Sequence, residues 1–390
     1  MALVQSTRRF LVIGIVMAAA VLSGAASGLL GLCGPFTDVA ADSFCPFVLE
    51  VFTLGITTGT SATTYDPTSN VSRLQMAAFL SRSVDSVLKR GSRRGAMNQF
   101  WTTKTAANLG LTTVGSNPKL PVSDGMDIWT PDTFGNSVSR VRANDGWLLE
   151  TWTGATFASA TLSAMSRIWV TGQVNPALLY RIDGSKVAGA VTTVATLGGT
   201  NPTGIAYDGE KIWTANQSGS VSLVTPGASI PFAVSTVSAG FSAPTGILYD
   251  GANIWVTDNA AGTLLKLNSA GGILLTVTVG ASPFHPIYDG TNIFVPNNAA
   301  PSVSVVRASN GAVLATLTGN GLNGPMAAAF DGQRILVTNV DGNSVSLWKA
   351  ADLSVIGTFP TGPATSPFGA CSDGINFWIT FDAASQLARF

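Results

Sequence analysis

Pro244-Thr245-Gly246-Ile247-Leu248-Tyr249-Asp250-Gly251-Ala252-Asn253-Ile254-Trp255-Val256-Thr257-Asp258-Asn259 is the stretch whose reading decides the fold. The Asp250-Gly251 pair supplies the positive φ angles of a tight hairpin. Gly246–Tyr249 before it reads as a strand. Ile254–Thr257 after it is a β-branched and aromatic strand with period-two alternation. Asp258-Asn259 turns the chain again. Thr263–Leu267 reads as a third strand and Ile273–Val279 as a fourth. A four-stranded unit of this kind cannot bury both faces alone and has to stack on neighbours.

The unit recurs. The phrase P-x5-D-G-x-x-(I/F) begins at Pro118, Pro202, Pro244, Pro283, Pro325 and Pro367. Its aspartates, Asp124, Asp208, Asp250, Asp289, Asp331 and Asp373, are mostly 42 or 39 residues apart. The one step of 84 residues holds a worn copy, Ala164–Val170, with Ile168 on register. A strand-rich period near 40 means a β-propeller, and seven copies mean seven blades. The last copy stops at Phe390 after its third strand, Gln386–Phe390. Asn108–Gly115, which precedes the first copy, has no blade of its own and reads as a fourth strand. Residues 104–115 are therefore expected to close the ring, removing two open sheet edges. The fold class is all-β, a seven-bladed β-propeller of four-stranded blades, preceded by a small helical module. The division expected is a signal peptide over 1–28, the module over 33–90, a linker over 91–103 and the propeller over 104–390.

Charged residues make up 11% of the 390 and the net charge is zero, which argues against a nucleic-acid partner. The run Lys89-Arg90-Gly91-Ser92-Arg93-Arg94 reads as a solvated linker. At the N-terminus, Arg8-Arg9, the apolar run Phe10–Leu22 and the small residues Ser23–Ser27 form a secretory signal, so the mature chain is expected to lack a transmembrane segment. Export permits disulfides. Cys33 and Cys45 bracket a short loop, and a bond between them would contribute about 3 kcal/mol. Cys371, just before Asp373-Gly374, reads as a small buried apolar residue.

Within the module, Ser43–Leu54 reads as a helix and Thr57–Asn70 as a loop. Ser72 opens a second helix with Ser72-x-x-Gln75 as a capping box. Leu74, Ala77, Leu80, Val84, Val87 and Leu88 follow at helical spacing and are expected to form one buried stripe. Phe36-Thr37-Asp38-Val39, Leu54-Gly55-Ile56-Thr57-Thr58-Gly59 and Tyr65-Asp66-Pro67-x3-Val71-Ser72-Arg73-x-Gln75-Met76-Ala77-x-Phe79-Leu80-x-Arg82 together resemble an S-layer homology module. The resemblance implies a cell-envelope location and binding of a cell-wall polysaccharide, with Arg73 helping to hold the anionic polymer. Gln75 stands where such modules usually carry an acidic residue. Proteins of this kind usually have three modules, and this chain has one.

The blades resemble YVTN-type repeats, as in Ile254–Asn259 and Ile335–Asn339. They also resemble the Trp-bearing repeats of the virginiamycin B lyase group, as in Pro202–Gly209 followed by Ile212-Trp213. That group works with paired His and Glu around magnesium. This chain has one His, and its repeats hold only Glu150 and Glu210. Strand order puts the Pro end of each inner strand and the Asx end of each second strand on one face, around the channel mouth. That face is expected to collect Asp132, Asn216, Asp258, Asn259, Asn297, Asn298, Asn339 and Asp382, as turn formers or as ligands. It also collects His285, which replaces the Gly of its neighbours Gly204, Gly246 and Gly369 and is a candidate base or metal ligand. No Ser-His-Asp set, zinc site or paired glycosidase carboxylates are visible. The function expected is an exported, envelope-associated propeller that is non-catalytic, needs no cofactor, and binds an unknown protein or small ligand. The alternative is a divergent lyase or lactonase with a divalent metal ion in the channel mouth.

Overall fold

A computed structural model of the chain describes residues 36–39, 44–53, 56–91 and 110–390. The chain divides into two compact units, residues 1–101 and 102–390. The signal segment, Cys33 (and with it the Cys33–Cys45 bond), and most of the linker lie outside the described residues.

The larger unit is seven four-stranded antiparallel sheets. Blade 4 shows why the repeat folds as it does. Its strands are Pro244–Tyr249, Ile254–Asp258, Thr263–Leu267 and Ile273–Thr278, innermost to outermost. The repeat Asp makes the hairpin: Asp250 Oδ1 accepts the N–H groups of Ala252 at 2.8 Å and Asn253 at 2.6 Å. Gly251 takes the positive φ of 94°. In the worn copy, Met165 and Ser166 both adopt φ of 55°, so the turn survives without a Gly.

Blades adhere through the residue after the repeat Ile or Phe. Trp255, fully buried, packs with Ile293, Val295 and Val306 of blade 5. Trp129 packs likewise on blade 2, Trp213 on blade 4 and Trp378 on blade 1. Burying one such aromatic removes roughly 200 Å² from water, so these four tryptophans contribute strongly to the ring's cohesion. The ring is closed by strand Gly110–Thr113, which pairs with Gln386–Arg389 as the outer strand of blade 7. Thr380 adds a second closure, donating to the Lys119 carbonyl of blade 1 at 2.7 Å.

In the smaller unit, helix α1 spans Cys45–Thr53 and helix α2 spans Arg73–Gly91. The capping box is formed: Gln75 N–H donates to Ser72 Oγ at 3.2 Å, and Ser72 N–H to Gln75 Oε1 at 2.8 Å. Phe36, Val39 and Val48 make the core, with Phe52 and Tyr65 against it. Asp38 ties the opening to the closing signature by accepting from the backbone of Tyr65 at 3.0 Å and Asp66 at 2.7 Å, which lowers its pKa. The buried stripe expected on α2 is corrected: Leu74 is 84% and Leu80 61% exposed, and Ala77 is exposed too. The side chains of Val84, Val87 and Leu88 lie outside the described ones. Phe79 is half-buried instead, and Arg82, though exposed, donates to the Ile56 carbonyl at 3.3 Å. Periodicity marks an apolar face; it does not supply a surface for that face to pack on.

Candidate functional site at the channel mouth

In five blades the Pro that opens the inner strand pairs with the Asx that ends the second: Pro202 with Asn216, Pro244 with Asp258, Pro325 with Asn339, and by single bridges Pro118 with Asp132 and Pro283 with Asn297. The expected mouth residues therefore share one end of the ring, but they split into two registers with opposite fates.

Asp132, Asn216, Asp258, Asn297 and Asn339 form the first register, and all five are fully buried. Asn339 donates to Ser344 and Ser346 at 3.1 and 2.8 Å. Asn297 does the same to Ser302 and Ser304, and Asn216 to Ser220 and Ser222. In blade 1 the polarity reverses, and Ser137 and Ser139 donate to Asp132 Oδ2 at 3.0 and 2.8 Å. These four side chains join the second strand to the third, Asp258 accepts instead from the backbone of Ser242, Ala243 and Ala261, and none of the five faces solvent. That is the physical reason they are framing members of the blades and not a ligand surface.

The second register lies one residue further on. Here side chains reach across to the next blade. Thr133 donates to the Ala158 carbonyl at 2.6 Å, Gln173 to Pro202 at 3.4 Å, Asn259 to Pro283 at 3.4 Å and Asn298 to Pro325 at 3.5 Å. In blade 7 the position is Asp382, which accepts from Asn117 and from Lys119 Nζ at 2.8 Å. Lys119 also sits 4.1 Å from the Phe368 ring centroid. Asp382 and Lys119 are about one-fifth exposed, so they are the charged pair of the mouth. Sequence reading missed Lys119, although it is the one charged residue directly after a repeat Pro.

His285 is 8% exposed and lies between the rings of Phe284 and Phe368, at 5.9 and 6.0 Å. Burial, helped by the Lys119 charge, depresses its pKa to about 3, so the imidazole is neutral across the physiological range. Its backbone explains its place. The His285 N–H donates to Met326 and its carbonyl accepts from Ala328, which bridges blades 5 and 6. Where Gly246 and Gly369 hold the same position, an added Cβ would meet Pro286 Cδ at 2.5 Å or Pro121 Cδ at 2.7 Å.

Below the mouth runs a channel of about 510 Å³ lined by the inner strands of all seven blades. Its wall is mainly aliphatic, with His285, Thr161, Ser123 and Cys371 as polar points. Cys371 is half-buried there, packed against the Trp378 cluster, and desolvation raises its thiol pKa well above the usual range. Glu150 is held by Arg140 at 3.1 Å and by the Trp152 indole at 3.0 Å. Among the described residues no three His, Cys, Asp or Glu side chains cluster closely enough to hold a metal ion.

In the smaller unit a groove of about 320 Å³ is walled by Thr57, Tyr65, Asp66, Gln75, Phe79 and Arg82. Gly59, φ 77°, sits so close to the Phe36 ring and the Thr64 carbonyl that no side chain fits. Arg73 stands exposed at the start of α2 and is not part of this wall.

The S-layer homology domain family matches residues 35–77. No curated protein matches the sequence. Among solved structures, a streptogramin B lyase is similar at TM-score 0.61 and 15% identity, over 74% of this chain and 99% of the lyase. Virginiamycin B lyase from Staphylococcus aureus gives 0.60 and 17%, over 72% of this chain and 98% of the other. The WD40 β-propeller domain of Doa1 gives 0.59 and 13%, over 72% and 97%. At these identities the likeness is one of fold. The chain is thus an S-layer homology domain followed by a seven-bladed β-propeller. The first of these implies anchoring to the cell wall and a place at the cell envelope. No described helix is long and apolar enough to cross a membrane.

Proposed function

We propose that the chain is exported, that its S-layer homology domain holds a cell-wall polysaccharide, and that its propeller is a non-catalytic binding or scaffold ring needing no cofactor. One observation carries the propeller reading: the polar residues gathered at the mouth are spent on the ring's own frame. Five are buried in hydrogen bonds within or beside their blades, and Asn259 and Asp382 bridge to the next one. His285 is too weak a base to hold a proton near neutrality. The alternative, a lyase- or lactonase-like enzyme with a divalent ion at the mouth, is opposed by Lys119, whose cation already pairs with the Asp382 carboxylate there. On the wall side, Arg73 is exposed and offers a guanidinium to an anionic polymer.

The test is co-sedimentation of the full chain with purified wall sacculi, with and without their polysaccharide. The chain is expected to pellet only with the intact sacculi, and Arg73→Ala to weaken that binding. Equal pelleting with stripped sacculi contradicts the wall reading. A stoichiometric divalent ion retained by the purified protein contradicts the non-catalytic one.

A further inference from the structure

Two residues into the inner strand, five blades place a small residue: Ala160, Gly204, Gly246, Ala327 and Gly369. Blade 1 has Leu120 at this level and blade 5 has His285. Small residues there leave the axis of the ring unfilled. Leu120, Ala160, Gly204, His285 and Ala327 all line the channel of about 510 Å³, a volume within the usual range of small-molecule sites.

Further along the strands the wall is built by Ile205, Ile247, Leu248, Ile287 and Ala329, and among the described residues no Asp, Glu, Lys or Arg side chain stands in it. Lys119 and Asp382, the charged pair of the mouth, are not part of this wall. Most of its hydroxyls are committed to the frame. Thr161 donates to the Leu120 carbonyl at 2.8 Å, Ser372 to the Asn376 carbonyl at 3.1 Å and Tyr207 to the Gly209 carbonyl at 2.6 Å, while Ser123 accepts from the Gly125 N–H at 3.1 Å.

His285 is the exception. Its side chain is 8% exposed, lies between the Phe284 and Phe368 rings, and makes no hydrogen bond with any described residue. A neutral imidazole has one N–H to donate and one lone pair to accept with. Buried polar groups are as a rule hydrogen-bonded, and an occupant that supplies the missing partner gains what burial took away. An ionised occupant would leave water for a wall with no counter-charge, which disfavours it.

We propose that the channel is a binding site for a neutral, mainly apolar small molecule carrying a hydroxyl group, which hydrogen-bonds the His285 imidazole. The inference rests on the reading of the propeller as a binding ring and names the site and the class of ligand. A hydroxyl suits the site because it can donate to the imidazole lone pair or accept from its N–H, whichever nitrogen carries the proton.

The probe is decanol, titrated into the full chain beside decanoate and decylammonium. His285 is the one histidine of the chain, so its imidazole NMR signals need no assignment by mutation. Decanol is expected to shift those signals saturably, and the two charged analogues to bind at least about tenfold more weakly. His285→Phe keeps a ring between Phe284 and Phe368 but removes the hydrogen bond, and should weaken decanol binding, followed by calorimetry, about tenfold. Absence of a saturable imidazole shift, equal binding of either charged analogue, or unchanged decanol affinity in His285→Phe overturns the proposal. Wall binding and metal retention, the readouts of the wider reading, are independent of all three.

Discussion

Asp258 of blade 4 and Asp132 of blade 1 occupy the same register, both fully buried at the end of a second strand, and their surroundings are opposite. Asp258 accepts backbone N–H groups on both oxygens, from Ser242 at 2.6 Å, Ala243 at 3.0 Å and Ala261 at 3.2 Å. Asp132 takes two serine hydroxyls on Oδ2, and its Oδ1 is buried with no partner. Burial without enough donors lifts the Asp132 pKa to about 7. Three other blades place Asn here. Blade 4 has built a site that needs a carboxylate, and blade 1 has put a carboxylate in a site that suits an amide.

The same substitution should therefore act in opposite directions at the two positions. Asp258→Asn turns an acceptor into an N–H2 facing a backbone N–H. It is expected to cost about 2–3 kcal/mol, measured by denaturant unfolding at pH 7. Asp132→Asn reproduces the Asn216, Asn297 and Asn339 arrangement, because serine hydroxyls can rotate to accept. It is expected to stabilise by about 1 kcal/mol or more at pH 8. Destabilisation by both variants breaks the comparison.

Unfolding against pH sharpens it. Asp132 has a folded pKa near 7 against an ordinary 3.8, so the folded state binds the extra proton between those values. Its contribution is fully present below pH 3.8 and is lost as pH rises to about 7. His285 has a folded pKa near 3 against 6.5, so its contribution is present above 6.5 and is lost as pH falls to about 3. The two slopes oppose each other over most of that window. Asp132→Asn should remove one, leaving a stability that falls steadily below pH 6.5; an unaltered profile would show that Asp132 does not titrate there.

The smallest effect is expected in the other unit. Ser72→Ala removes the hydroxyl that accepts from Gln75 N–H and should destabilise α2 by about 1 kcal/mol, seen as lost helical circular dichroism on mild heating. An unchanged helix signal would mean the capping box contributes nothing there.

The ring was legible because its spacing is repeated. Asp250-Gly251 makes its hairpin by forces that act within a few residues, and stacking repeats that result. The closing strand could be read from a count of strands, and the pairing of Gly110–Thr113 with Gln386–Arg389 follows it. The mouth was less legible because one residue of register decides whether an Asx side chain is buried in its blade or bridges to the next. A signal was present nonetheless. Serines lie five and seven residues after Asp132, Asn297 and Asn339, and four and six after Asn216, and all of them bond to the Asx. The Trp that follows Asp124, Asp208, Asp250 and Asp373 by five residues is a second such spacing. The α2 stripe was misread for a different reason: Leu74 and Leu80 have the helical spacing, but burial depends on a partner surface that spacing does not encode.

The most direct test of the claim that the mouth Asx residues build the ring is the thermal unfolding of Asn339→Ala. That change strips the partner from Ser344 and Ser346 inside blade 6. The loss expected is about 2 kcal/mol, which lowers the midpoint by roughly 3 °C for a domain of this size. A midpoint equal to that of the unaltered chain would contradict the framing role and return Asn339 to the candidates for ligand binding.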